Sequence, residues 1–313
     1  MSKKYYTSDL KNTQQQVMNS YTGIRTDFRK AANTISALLF SVIIFCFPLS
    51  VFPQQDSNQD SMIKLIVRGD DMGFCHATNV ACIISYKEGI LRSVEVMVPG
   101  PWFLDAVKMI NENPGLDVGV HLTLTSEWQN LKWGPVTGAA GLRDSDGYFF
   151  SNVQDLQKAK PEPEIVEKEL RAQIELAMKH IPNLTHFSDH MGASTCRPEY
   201  TRIVKKLSEE YGLPFILEGA HEEIGFWDVP AEDKEDFLAD TLRNLKPGLW
   251  IIYCHPGLDT PETQGITSVD KHLSNEFMAE YRAAVTEALT SERLRDLVRQ
   301  EGIQLVSYGD IIK

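Results

Sequence analysis

Four histidines and three aspartates carry most of the chemistry this sequence offers. Asp70 and Asp71 follow the apolar run Lys64–Arg68, and His121 lies within Val118–Leu124. His186, Asp189 and His190 occupy the stretch that begins at Thr185, and His255 follows Leu249–Cys254. One carboxylate and two imidazoles are enough to hold a divalent cation with positions left open for water and substrate. A second carboxylate nearby can act as a base toward that water, and a further imidazole opposite can protonate a leaving group. Together they describe metal-assisted hydrolysis. Each residue also has a blander reading. Asp-Asp-x-Gly is a common turn or cap. A histidine in an apolar strand is often a satisfied core residue. His190-Met191-Gly192 reads as a turn. What joins the residues is location, since each stands at or near the end of a run that reads as a strand.

Those runs alternate with helical stretches. Strands are expected at Lys64–Arg68, Ser93–Val98, Val118–Leu124, Thr185–Ser188, Phe215–Leu217, Leu249–Cys254 and Gln304–Ser307. Helices are expected at Ala77–Glu88, Trp102–Asn111, Glu162–His180, Pro198–Tyr211, Asp233–Leu245, Phe277–Thr290 and Glu292–Gln300. About seven strands alternating with helices give a parallel α/β architecture, barrel or open sheet. In a barrel the C-terminal strand ends share one face, where active sites are built. Residues 127–160 are irregular and rich in glycine and tryptophan, as in a functional insertion or lid.

The chain has 313 residues, 42% of them hydrophobic and 24% charged, which excludes disorder, collagen-like repeats and a coiled coil. A net charge of −12 is wrong for sequence-independent nucleic-acid binding, and no basic patch is visible. Residues 1–60 differ from the rest. No charge falls between Ala31 and Gln55, and residues 35–53 are nearly all apolar, with Arg25, Arg29 and Lys30 just upstream. That order is a secretory leader or a membrane anchor followed by a linker, although Pro48 interrupts the run and no small-x-small cleavage site stands out. Met18 is an alternative start, and the residues before Cys46 are wrong for a lipoprotein signal. The expected protein is therefore exported or membrane-anchored, with a single catalytic α/β domain over 61–313. A homodimer is left open. In an exported domain Cys75, Cys82, Cys196 and Cys254 could pair; buried free thiols are slightly preferred.

The segments Val67-Arg68-Gly69-Asp70-Asp71-Met72-Gly73, Gly119–Thr125, Thr185–Gly192 and His255-Pro256-Gly257 together resemble the YdjC-like carbohydrate deacetylases, over about residues 63–312. The resemblance implies a distorted (β/α) barrel related to polysaccharide deacetylases. It also implies one divalent metal held by Asp71, His121 and His190, with zinc or magnesium both permitted. Asp70 then matches the general base and His255 the proton donor, in removal of acetyl from an N-acetylated sugar. Ser188 and Met191 depart from residues common in the family. Trp128, Trp133, His186 and Asp189 are candidate sugar contacts; packing of a long loop explains either tryptophan equally well. Two other readings stay open, a metal-dependent esterase or phosphoesterase on the same scaffold and a tethered, non-catalytic carbohydrate-binding protein.

Overall fold

The computed structural model describes residues 62–216, 222–267 and 275–312, with side chains from 278 onward in the last stretch. The leader, its apolar run and Cys46 lie outside the described residues. Among the described residues, no helix is long and apolar enough to cross a membrane.

Among the described residues, seven strands form one parallel sheet. They are β1 (Ile63–Met72), β2 (Ser93–Val96), β3 (Asp117–Leu122), β4 (Leu184–Asp189), β5 (Glu222–Ile224), β6 (Gly248–Cys254) and β7 (Gln304–Leu305). The order across the sheet is β4-β3-β2-β1-β6-β5, and β7 pairs with the start of β1. The helices are α1 (His76–Glu88), α2 (Phe103–Asn111), α3 (Val153–Ala159), α4 (Pro163–His180), α5 (Pro198–Tyr211), α6 (Lys234–Asn244), α7 (Pro261–Gln264), α8 (Asn275–Thr290), α9 (Glu292–Gln300) and α10 (Tyr308–Ile311). Parallel strands covered on both faces read as continuous apolar runs, which is why β1, β2, β3 and β6 are legible in the sequence. Residues of β1 from Leu65 to Met72 are buried without exception.

β4 and β5 stand at the two ends of this order. Phe187 of β4 bonds to Pro214 and Ile216 on its outer side, while β5 pairs with β6 at the opposite edge.

Some expectations need correction. Phe215 makes a single bridge to Phe187 rather than a strand, and Leu217 lies outside the described residues. The strand in this part of the chain is β5 instead, a polar edge of three residues with Glu222 exposed. The stretch 127–160 contains helix α3, started by Asn152, whose side chain accepts from the Asp155 amide. The four described cysteines are free.

β1 runs further than its apolar run suggests. It includes Asp70 and Asp71, with a register shift against β2 between Gly69 and Met72. Asp71 sits at φ +68°, a left-handed conformation unusual for a residue with a Cβ. This bulge places two consecutive carboxylates at the C-terminal end of the central strand, both buried.

Candidate active site

Asp71, His121 and His190 meet at the C-terminal face. Asp71 comes from the β1 bulge, His121 from β3 and His190 from a 3-10 turn after β4 in which Met191 has φ +56°. Ligating atoms of the three all lie within 4.8 Å of one another. Asp71 Oδ1 is 3.2 Å from His190 Nδ1 and 3.6 Å from His121 Nε2. That oxygen is buried and makes no well-formed hydrogen bond. A buried carboxylate oxygen facing two imidazole nitrogens fits a divalent cation, and the set of one carboxylate and two imidazoles suits one chemically.

The surrounding groups orient this cluster. Arg282 of α8 donates from Nη2 to Asp71 Oδ2 at 2.7 Å. Burial alone would raise the Asp71 carboxyl, but Arg282, His255 and His190 outweigh it and hold the group well below the ordinary carboxylate range. Glu127 Oε2 lies 3.1 Å from His190 Nε2. Burial works against a charge on His190, yet Glu127 and Asp71 push its pKa up to about 10. In His121, burial dominates, followed by repulsion from His190, and the ring is held neutral with its pKa lowered to about 3.

Glu95 is the hub beneath. This wholly buried residue of β2 sits 2.6 Å from His186 Nε2 and accepts from Ser188 Oγ at 2.5 Å. Burial opposes its charge, but His186 and Arg68 overcome this and bring its pKa to about 2, so Glu95 is an acceptor only. Ser188 therefore spends its proton on Glu95 and must accept from His121 Nδ1–H, 2.7 Å away. That fixes the His121 tautomer and leaves the Nε2 lone pair facing Asp71, as a metal ligand requires. Gly119 makes the pairing possible, because a Cβ there would collide with both Glu95 and His186.

Arg68 grips Asp70 with two parallel bonds of 2.7 Å. Burial pushes the Asp70 carboxyl up to about 7, with Arg68 pulling it down. His255 follows β6, with Nε2 3.9 Å from Asp71 Oδ2 and the side chain 23% exposed. Burial lowers its pKa to about 3 against the attraction of Asp71. Of the three site imidazoles, His255 is the one open to solvent.

The structure thus brings Asp70, Asp71, His121, His190 and His255 together. The four residues expected at a sugar are placed otherwise. His186 is wholly buried, with its ring nitrogens at Glu95 and Thr185. Asp189 is buried and accepts from the Ser194 amide and Thr195 Oγ1, stabilising the turn that carries His190. Trp128 stacks on Phe74, and Trp133 donates to Thr125 O; both are at most 5% exposed. Burial also pushes the Cys75 thiol up to about 11, which removes it as a nucleophile.

Residues 64–300 match the family described as YdjC-like protein. The chain belongs to that family. A carbohydrate deacetylase of Thermus thermophilus is 36% identical over 227 residues, covering 64% of this chain and 80% of the relative. Carbohydrate deacetylase 2 of Listeria innocua is 30% identical over 268 residues, covering 80% of this chain and all of the relative. Among solved structures, an Enterococcus faecalis protein named as a candidate for cellobiose-phosphate cleavage superposes with a TM-score of 0.66 at 24% identity, covering 80% of this chain and 99% of that one. The last match bears on fold alone. Arg68, Glu95, Glu127 and Arg282 complete the site of this YdjC-like protein and were not singled out from the sequence. Glu95 did leave a signal, a charge in the otherwise apolar run Val94–Val98.

Proposed function

We propose that this protein is a metal-dependent carbohydrate deacetylase that hydrolyses the N-acetyl group of an amino sugar or its oligomer, releasing acetate. The observation that carries it is the buried Oδ1 of Asp71 facing nitrogens of His121 and His190, with an arginine-held carboxylate on one side and a solvent-open imidazole nearby. The family and the names of its relatives point to the same chemistry.

Asp71, His121 and His190 would hold the cation, and two imidazoles suit zinc better than magnesium. When bound, the ion supplies Lewis-acid polarisation of the acyl oxygen and acidifies a water. The remaining steps belong to the chain. Asp70, aimed by Arg68, takes the proton from the attacking water. Its pKa, raised by burial toward neutrality, makes it a stronger base than an exposed aspartate. His255 is the group placed to give a proton to the departing nitrogen, without which an amide nitrogen leaves poorly; because burial lowers its pKa to about 3, it takes up that proton during turnover, as negative charge builds beside it. Arg282 holds Oδ2 of Asp71, so that Oδ1 alone is presented to the cation.

Export or membrane anchoring belongs to the same proposal. Its support is the charge-free segment from Ala31 to Gln55 behind Arg25, Arg29 and Lys30. The deciding experiment is acetate release from N,N′-diacetylchitobiose and N-acetylglucosamine by the metal-loaded protein, beside Asp70→Asn. Release that needs metal and vanishes in the variant establishes the reaction. Bound metal without release from any acylated sugar overturns the substrate class. Failure of the folded protein to bind metal overturns the ligand set.

A further inference from the structure

A sugar that reacts beside His255 needs an apolar surface for its ring, and the buried Trp128 and Trp133 cannot offer one. Trp227 can. It is 38% exposed, and its ring meets His255 edge-on with centroids 5.1 Å apart. It packs against the tilted ring of Tyr281, with centroids 4.6 Å apart. The indole therefore flanks the expected proton donor and is more than a third exposed to solvent.

The loop that carries it is anchored in an unusual way. Lys234, at the start of α6, is fully buried. Its ammonium donates to Phe226 O at 3.2 Å and to Val229 O at 2.9 Å. It also lies over the rings of Tyr281, at 3.5 Å, and Phe226, at 5.1 Å. Among the described residues, no carboxylate forms an ion pair with it. A buried ammonium held by carbonyls and aromatic faces is costly to place there. Its contacts fix both ends of the four-residue turn from Phe226 to Val229, so Trp227 projects from a clamped base. Burial lowers the Lys234 pKa to about 8, in keeping with that environment.

We propose that Trp227 is the stacking platform for the pyranose ring of the N-acetylated substrate, and that Lys234 is the positioning residue that holds the platform against His255. The proposal rests on the deacetylase reading above. Aromatic faces take up the apolar C–H face of a ring while its polar edge stays wet, and ligand sites pair such a surface with a few aimed polar groups.

The test uses the full chain with bound metal. Wild type, Trp227→Ala, Trp227→Phe and Lys234→Met are assayed for acetate release from N,N′-diacetylchitobiose, metal content is measured, and indole emission is titrated with the same sugar. The expected result for Trp227→Ala is a KM raised about tenfold or more, with kcat changed far less and metal content unchanged. Trp227→Phe falls between, and a saturable emission change in wild type is lost in it. Lys234→Met raises KM in the same direction. An unchanged KM in Trp227→Ala beside an active wild type overturns the platform and leaves the deacetylase reading intact. If wild type releases no acetate, the emission titration decides. A saturable change that disappears in Trp227→Phe supports the platform while the reaction fails. No saturable change overturns it.

Discussion

Arg282 Nη2 donates to Asp71 Oδ2 at 2.7 Å across 211 positions of sequence. A helix near the end of the chain thus sets the orientation of a carboxylate on the first strand. Gly257 permits the approach, because a Cβ there would strike the Arg282 stem, and its amide bonds to the Arg282 carbonyl. The glycine of His255-Pro256-Gly257 therefore serves Arg282 as well as the turn. Replacing Arg282 by Met should lower kcat/KM about 10–100-fold, as for other residues that orient a metal ligand. Metal content at saturation should persist, because all three ligands remain. Steady-state kinetics with parallel metal analysis checks both, and full activity would refute the orienting role.

Removal of a ligand has a different signature. Asp71→Asn, His121→Ala and His190→Ala should each lose bound metal and acetate release together. Asp70→Asn should keep the metal and lose about 10²–10⁴-fold in kcat. Metal analysis of the purified variants separates the two groups.

The Glu95 hub predicts a tautomer effect. In Glu95→Gln an amide can donate to Ser188 Oγ, which then turns its proton toward His121 Nδ1. The ring proton moves to Nε2, where the cation would bind. Metal affinity should fall about 10–100-fold, read by titration calorimetry. An affinity equal to wild type would remove Glu95 from this role.

Gly119→Ala tests the same network by crowding. The new methyl collides with Glu95 and His186, neither of which has empty space to move into. The expected cost is about 1–3 kcal/mol of stability, measured by denaturant unfolding.

The pH dependence follows from Asp70. As a base it acts deprotonated, so activity falls as pH drops through its pKa. Burial raises that pKa to about 7. A neighbouring cation pulls it down, so the acidic limb of kcat/KM belongs between the ordinary aspartate value of ~4 and that limit. Arg68→Met removes the opposing charge and should move the limb upward. A limb that stays in place, in a folded variant, would deny Arg68 its hold on the base.

The strands were legible where burial on both faces makes a continuous apolar run, and the histidines stood out as polar residues at the ends of such runs. β5 was not legible, because three residues at an edge, with Glu222 exposed, need no apolar pattern. Arg282 was hidden for another reason. Its stem packs as an apolar residue would and its head finds a partner on a distant strand, so helical spacing says nothing of it. Glu95 was readable in principle, since a charge in a strand covered on both faces must have buried partners. The tryptophans show a third limit. Residue type shows what can stack, but only packing decides that Trp128 and Trp133 are walls while Trp227 is open.

β7 carries a consequence for how the protein is made. Gln304 and Leu305 pair with Lys64 and Leu65, and the amides of Tyr308 and Gly309 bond to Asp117. β7 thus lies beside the start of β1, and residues 304–309 complete the floor of the sheet opposite the catalytic face. During synthesis this floor stays open until residues 304–309 have been made. A nascent chain that stalls short of β7 leaves the start of β1 without that partner and Asp117 without those amides.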